Sequence, residues 1–107
     1  MLILEGGAMS TVDIIIEAVE KHRTLSFDYH GHERIVSPYC VGLTTTNEIK
    51  MLAYQTAGGS TSGVCPKLRY FTVEDMIGTD FSEAFFEPAD ESATAQYASF
   101  SRLYAKL

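Results

Sequence analysis

From Thr24 onward the hydrophobic residues recur at every second position. Leu25, Phe27 and Tyr29 alternate with Ser26, Asp28 and His30, the pattern of a strand with one face buried. A helix turns about 100° per residue and would scatter these three side chains around its circumference. The stretch before it reads differently. In Ser10 to Arg23 the apolar residues Val12, Ile15, Ile16 and Val19 fall at helical spacing. Ser10 is a good N-cap, and Asp13 stands three residues on, as in a capping box. Lys21, His22 and Arg23 close the segment where positive charge suits the helix dipole. The change of period at Thr24 therefore predicts one helix leading into a sheet.

The sheet continues along the chain. Gly31-His32 is the expected hairpin tip, and Glu33 to Val41 the return strand, with Pro38 marking an edge or a bend. Gly42 to Asn47 is polar and turn-like, and Ile49 to Gln55 is a third strand. Thr56 to Pro66 reads as a loop rich in Gly, Ser and Thr. In the fourth strand Leu68, Tyr70 and Thr72 share one face, and Arg69, Phe71 and Val73 the other. Phe81 to Phe86 is a further extended piece. From Pro88 the expectation is a second helix over about 90–107, because Ala93, Tyr97, Phe100, Tyr104 and Leu107 form a stripe at helical spacing. The fold class predicted is mostly β with flanking helices, a small antiparallel barrel with a helix at each end. The whole chain, 1–107, reads as a single domain.

Charge narrows the choice of partner. The net charge is −6. Residues 73–107 hold seven acids against Arg102 and Lys106, whereas residues 1–72 are nearly balanced. Such a chain repels polyanions at long range, although one local basic pocket survives that argument. The longest apolar run, Ile14-Ile15-Ile16, is flanked by Asp13 and Glu17 and is too short to span a bilayer. With no signal-peptide pattern at the start, the expected location is the cytoplasm. Cys40 and Cys65 form no C-x-x-C pair and are expected to be reduced thiols in or near the core.

Arg34 and Arg69 are the leading site candidates. Each lies within a strand, and strand arginines of a small barrel can converge on one groove. There the planar fork of guanidinium donors suits phosphate or carboxylate. The bland alternative is two solvated arginines paired with neighbours such as Glu33 or Asp28. Tyr39 and Tyr54 offer stacking faces or hydroxyls, against a plain role in core packing. Gln55 can read a ligand edge. The loop Ala57 to Gly63 can turn backbone N–H groups, together with Ser60 and Ser62, towards an anion. It is not a P-loop, because no Gly-Lys-Ser/Thr closes it, and not a nucleophile elbow. His30 and His32 at one turn supply too few ligands for a metal, and no acid, nucleophile and base can be nominated together. The expectation is a protein without metal, cofactor or catalytic residues.

The order of these segments carries a resemblance. A helix precedes Leu25-Ser26-Phe27-Asp28-Tyr29, followed by Arg34-Ile35-Val36-Ser37-Pro38-Tyr39 and Val41-Gly42-Leu43. Met51-Leu52-Ala53-Tyr54-Gln55, Arg69-Tyr70-Phe71-Thr72-Val73 and Ile77 come next. Over roughly residues 12 to 86 this resembles the WYL domain, a bacterial module with an Sm-like, SH3-type barrel. The elements R-x-V-x-P-Y, L-x-A-Y and R-x-F stand in the family's order and at its spacing. The tripeptide that names the family would fall at about Ile49-Lys50-Met51, and Met76 stands where the family has a basic residue. The loop Gly58 to Gly63 looks like that of short, stand-alone WYL-like proteins.

The resemblance implies an Sm-like barrel and a sensing role. WYL domains are thought to bind nucleotides, single strands or other ligands and to pass that on to a partner. Most sit behind a winged helix-turn-helix, and none is seen in these 107 residues. The expectation is a non-enzymatic regulatory module for a small anionic ligand or nucleotide, with Arg34 and Arg69 at matching family positions. Tyr39, Tyr54 and Gln55 would shape its pocket, and Ser60 and Ser62 would close it. Two alternatives stand beside it: an interaction module forming a homo-oligomer or binding a protein partner, and a single-strand nucleic-acid binder.

Overall fold

The computed structural model describes residues 10–58, 67–88 and 93–107. The first helix, α1, spans Thr11–Lys21. Ser10 caps it, its hydroxyl accepting from the Asp13 N–H at 3.1 Å. His22 ends it in the left-handed conformation, φ 55°, with its N–H donated to the Ala18 carbonyl. Ile15, Ala18 and Val19 form its buried face.

Six strands follow: β1 Arg23–Tyr29, β2 His32–Thr44, β3 Ile49–Gly58, β4 Lys67–Thr72, β5 Ile77–Phe85 and β6 Phe100–Lys106. All their pairings are antiparallel, in the order β4-β3-β2-β1-β5, with β6 also on β2. The first hairpin turns at His30-Gly31, one residue earlier than expected. Both residues have positive φ (51° and 84°), which lets Tyr29 face His32 directly.

The thirteen-residue β2 organises the sheet. One edge carries β3 throughout. The other carries β1 along its first part and β6 along Cys40–Thr44. A register shift between Pro38 and Cys40 breaks the alternation. It puts Tyr39 and Cys40 on one face while Val36 and Val41 share the other. The helix-bearing face gathers Ile15, Leu25, Phe27, Val36, Met51 and Phe71. The opposite face gathers Tyr39, Cys40, Leu52, Ala93 and Phe100. Cys40 is a free, buried thiol, while Cys65 lies outside the described residues.

Two expectations need correction. The sheet is antiparallel throughout but does not close into a barrel. Closure would require its end strands β4 and β5 to pair, and instead a 3-10 turn, Val73–Asp75, carries the chain from one to the other. The second helix expected over 90–107 is also absent. A single helical turn, Ala93–Gln96, and a 3-10 turn, Tyr97–Ser99, lead straight into β6. The edge of β2 beyond β1 offers unpaired backbone groups, and the C-terminal segment satisfies them. Leu103, Ala105 and Leu107 turn inward at every second position, so a strand reads this sequence as readily as a helix. Among the described residues no helix is long and apolar enough to cross a membrane.

Candidate functional site

Strand alternation on the helix-bearing face brings several polar side chains to one end of an otherwise apolar surface. Val36 lies in the core, and Arg34 stands two residues before it on the same face of β2. Met51 and Ala53 lead to Gln55 on β3, and Phe71 leads back to Arg69 on β4. Arg69 pairs with Ala53 across the ladder, and Gln55 pairs with Val36. Arg34, Gln55 and Arg69 therefore share one face of the sheet, with Arg34 level with Gly58 and Arg69 level with Ala53.

Arg34 is the unusual member. It is only 3 % exposed. Its Nη2 donates to the Tyr29 carbonyl at 3.1 Å and its Nη1 to Gln55 Oε1 at 3.3 Å. The guanidinium carbon lies 5.4 Å from the centre of the Tyr29 ring and 5.8 Å from that of Phe71. Its Nε is buried without a hydrogen-bond partner among the described residues. The ion pairs found there are Lys21–Glu17, His30–Asp75 and Lys50–Glu48, and none involves Arg34. Burial, and secondarily the positive charge of Arg69, push the Arg34 pKa down; the Tyr29 phenol opposes them. Arg69 is half-buried on the strand at the end of the sheet.

The aromatic support is shared. Tyr29 and Phe71 meet edge to face at 5.0 Å, and Phe27 meets Phe71 likewise at 5.1 Å. The Tyr29 hydroxyl accepts from the Thr72 N–H at 2.9 Å. Its ring stacks on His30 at 4.1 Å, and His30 Nε2 lies 3.3 Å from Asp75 Oδ2. The first hairpin, β4 and the 3-10 turn thus clamp the residue whose carbonyl holds Arg34.

Other expected site residues lie elsewhere. Tyr39 and Tyr54 belong to the opposite face, with Leu52, Leu68 and Phe86, so they do not share a pocket with the arginines. Tyr54 and Gln55 are neighbours in one strand, and pleating sends neighbours to opposite faces. Ser60 and Ser62 lie outside the described residues. Tyr29 and Phe71 were missed as site residues. Their faces were legible from alternation, but nothing in the sequence placed them against Arg34.

Among the described residues no group of three His, Cys, Asp or Glu side chains is placed to hold a metal. The arrangement offers guanidinium N–H donors and positive potential, the chemistry of anion capture. Comparison with models of known families, with curated proteins and with solved structures returned no match.

Proposed function

We propose that this chain is a non-enzymatic, cytoplasmic sensing module that holds a small anion between Arg34 and Arg69 and presents the result to a partner. One observation carries the reading. A guanidinium that is 3 % exposed donates, among the described residues, to a neutral carbonyl and a neutral side-chain amide, and keeps a buried Nε–H without a partner there. Burying a charge is costly unless an opposite charge compensates it. An anion accepting from Arg34 and Arg69 would supply that compensation. The resemblance to WYL domains supports the same choice, since the two arginines stand in its R-x-V-x-P-Y and R-x-F elements.

A thermal-shift titration with inorganic phosphate tests it. At about 100 times Kd the ligand adds about 2.7 kcal/mol of stability. For a domain near this size each kcal/mol raises Tm by about 4–8 °C. Arg69→Ala is expected to remain folded and to lose the shift. A folded wild-type protein that responds to no phosphate, sulfate or nucleotide removes the proposal.

A second reading, the interaction module, rests on β5. This strand ends the sheet path and exposes Ile77 (67 %) and Phe85 (68 %), and an apolar edge strand favours pairing with another chain. Light scattering separates the two. Here the protein would run above its 11.8 kDa monomer mass, and Ile77→Lys would return it to monomer. A wild-type monomer at every concentration rules this reading out.

A further inference from the structure

The strand β5 lies at the end of the sheet path, and the anion site makes no use of it. Among the described residues it has a ladder on one side only, with β1. A strand so placed presents the N–H and C=O groups of alternate residues to whatever lies beyond it. Ile77 at one end and Phe85 at the other are large, apolar and exposed.

Folded proteins guard such an edge with bulges and charge. The strand has both. Its register against β1 shifts between Arg23 and Leu25 and again between Ser26 and Asp28, and it carries Asp80 and Glu83. Ile77 and Phe85 do the opposite of guarding. Exposed apolar side chains beside an open ladder are what an added strand needs.

Charge decides the occupant. Asp80 and Glu83 lie in the strand, Glu74, Asp75 and Glu87 flank it, and Asp28 stands opposite Ile77 on β1; all are exposed. Of these, only Asp75 has an ion pair among the described residues, with His30. The guanidinium of this region, Arg23, is engaged. Its Nη2 donates to the Ser82 carbonyl at 3.4 Å, and its central carbon lies 4.4 Å from the centre of the Phe81 ring. On the packed helix, Lys21 pairs with Glu17. The edge is therefore anionic. A second copy would bring the same carboxylates, and like charges across a ladder oppose pairing. A strand bearing lysine or arginine gains where a copy loses.

We propose that β5 docks an extended, cationic segment of another protein as a further strand of the sheet. The main chain of that segment pairs with the free edge, its cations meet Asp80 and Glu83, and its apolar side chains meet Ile77 and Phe85. The proposal is independent of the anion site. It shares with the interaction reading only the free edge of β5, and it replaces a second copy by a partner of opposite charge.

Calorimetric titration of the full chain with a capped decapeptide of alternating lysine and valine tests it. The peptide is expected to bind and to slow hydrogen exchange at the β5 amides. A decapeptide of alternating glutamate and valine should not bind. Nor should the lysine peptide with two internal valines replaced by proline, which keeps its charge but loses ladder donors. Asp80→Asn combined with Glu83→Gln should weaken binding about fivefold, the effect of two exposed charge pairs. Asp80→Asn retains an oxygen like the one that accepts from the Phe81 N–H at 2.8 Å, so the fold is expected to persist.

Equal binding of the glutamate peptide overturns the choice of charge. Equal binding of the proline peptide, or protection that leaves β5 unchanged, overturns strand addition. No binding of any peptide by the folded protein overturns the proposal as a whole. A dimer that Ile77→Lys returns to monomer and that the lysine peptide leaves intact gives the edge to a second copy instead.

Discussion

Phe71→Ala is expected to lower the stability of the protein by about 3–5 kcal/mol, the usual cost of emptying a buried phenylalanine site. Phe71 is 1 % exposed and meets Phe27 and Tyr29 edge to face, so its loss removes burial and two ring contacts together. The surroundings cannot collapse easily, because Tyr29 is held by the Thr72 N–H and by the stack on His30. A domain with a total stability of about 5–15 kcal/mol would lose a third of it or more. Urea denaturation gives the measurement, as a fall in midpoint at unchanged slope. Phe71→Leu should recover most of the loss, since it refills much of the volume. It should still weaken phosphate binding, because Arg34 loses a ring that lies 5.8 Å from its guanidinium carbon. A loss under about 1 kcal/mol in Phe71→Ala, the level of an ordinary point substitution, would mean that this end of the core is not packed as described.

Gly42→Val is expected to detach β6. A Cβ at Gly42 would lie 2.9 Å from the Leu103 Cα and closer still to the Arg102 carbonyl oxygen, both of them backbone atoms of β6. Side-chain rotation cannot relieve a clash with backbone, so either the strand moves away or the clash persists. Forced overpacking of this kind costs about 1–3 kcal/mol. Cys40 reports on which occurs, because it pairs with Lys106 of β6 and is buried in the cluster that contains Phe100. Burial pushes its thiol up to about 12, so in the intact fold it is protonated and shielded at pH 8. With Cys65→Ser as background, thiol labelling of Gly42→Val should accelerate about 5- to 150-fold, the equivalent of 1–3 kcal/mol of easier opening. Unchanged labelling would show that β6 stays in place.

The same thiol sets an alkaline limit. Its folded pKa lies above its ordinary 9.0, so the folded state holds the proton more tightly than the unfolded chain. The stability it contributes is complete below pH 9 and declines as pH rises towards about 12.

Alternation was the dependable signal in this sequence. The turn from helical spacing to a period of two at Thr24 located α1 and β1, and the face assignments of β1 and β4 follow from counting by twos. Arg34 and Arg69 could be nominated because both lie within strands and stand at positions of the resemblance, although a solvated pair fitted the sequence as well. The same arithmetic would have parted Tyr54 from Gln55, since adjacent residues in a strand face opposite ways. Tyr39 is harder to place from sequence, because the shift at Pro38 resets the alternation around it.

The tertiary structure decided what local pattern left open. Residues 100–107 carry a hydrophobic stripe that helix and strand accommodate equally, and the deciding factor is the edge of β2 beyond the end of β1, which needs a hydrogen-bonding partner. Whether the sheet closes depends on β4 pairing with β5; the two follow one another in sequence, but β4 pairs with β3 and β5 with the distant β1, and the fold sets those ladders. The surroundings of Arg34 are of the same kind: Tyr29, Gln55 and Phe71 come from three strands. Period and capping were set by the sequence itself, because they act between residues a few positions apart. Edge pairing, closure and the company of a buried charge were settled only by the fold, because they depend on which distant strands come to lie side by side.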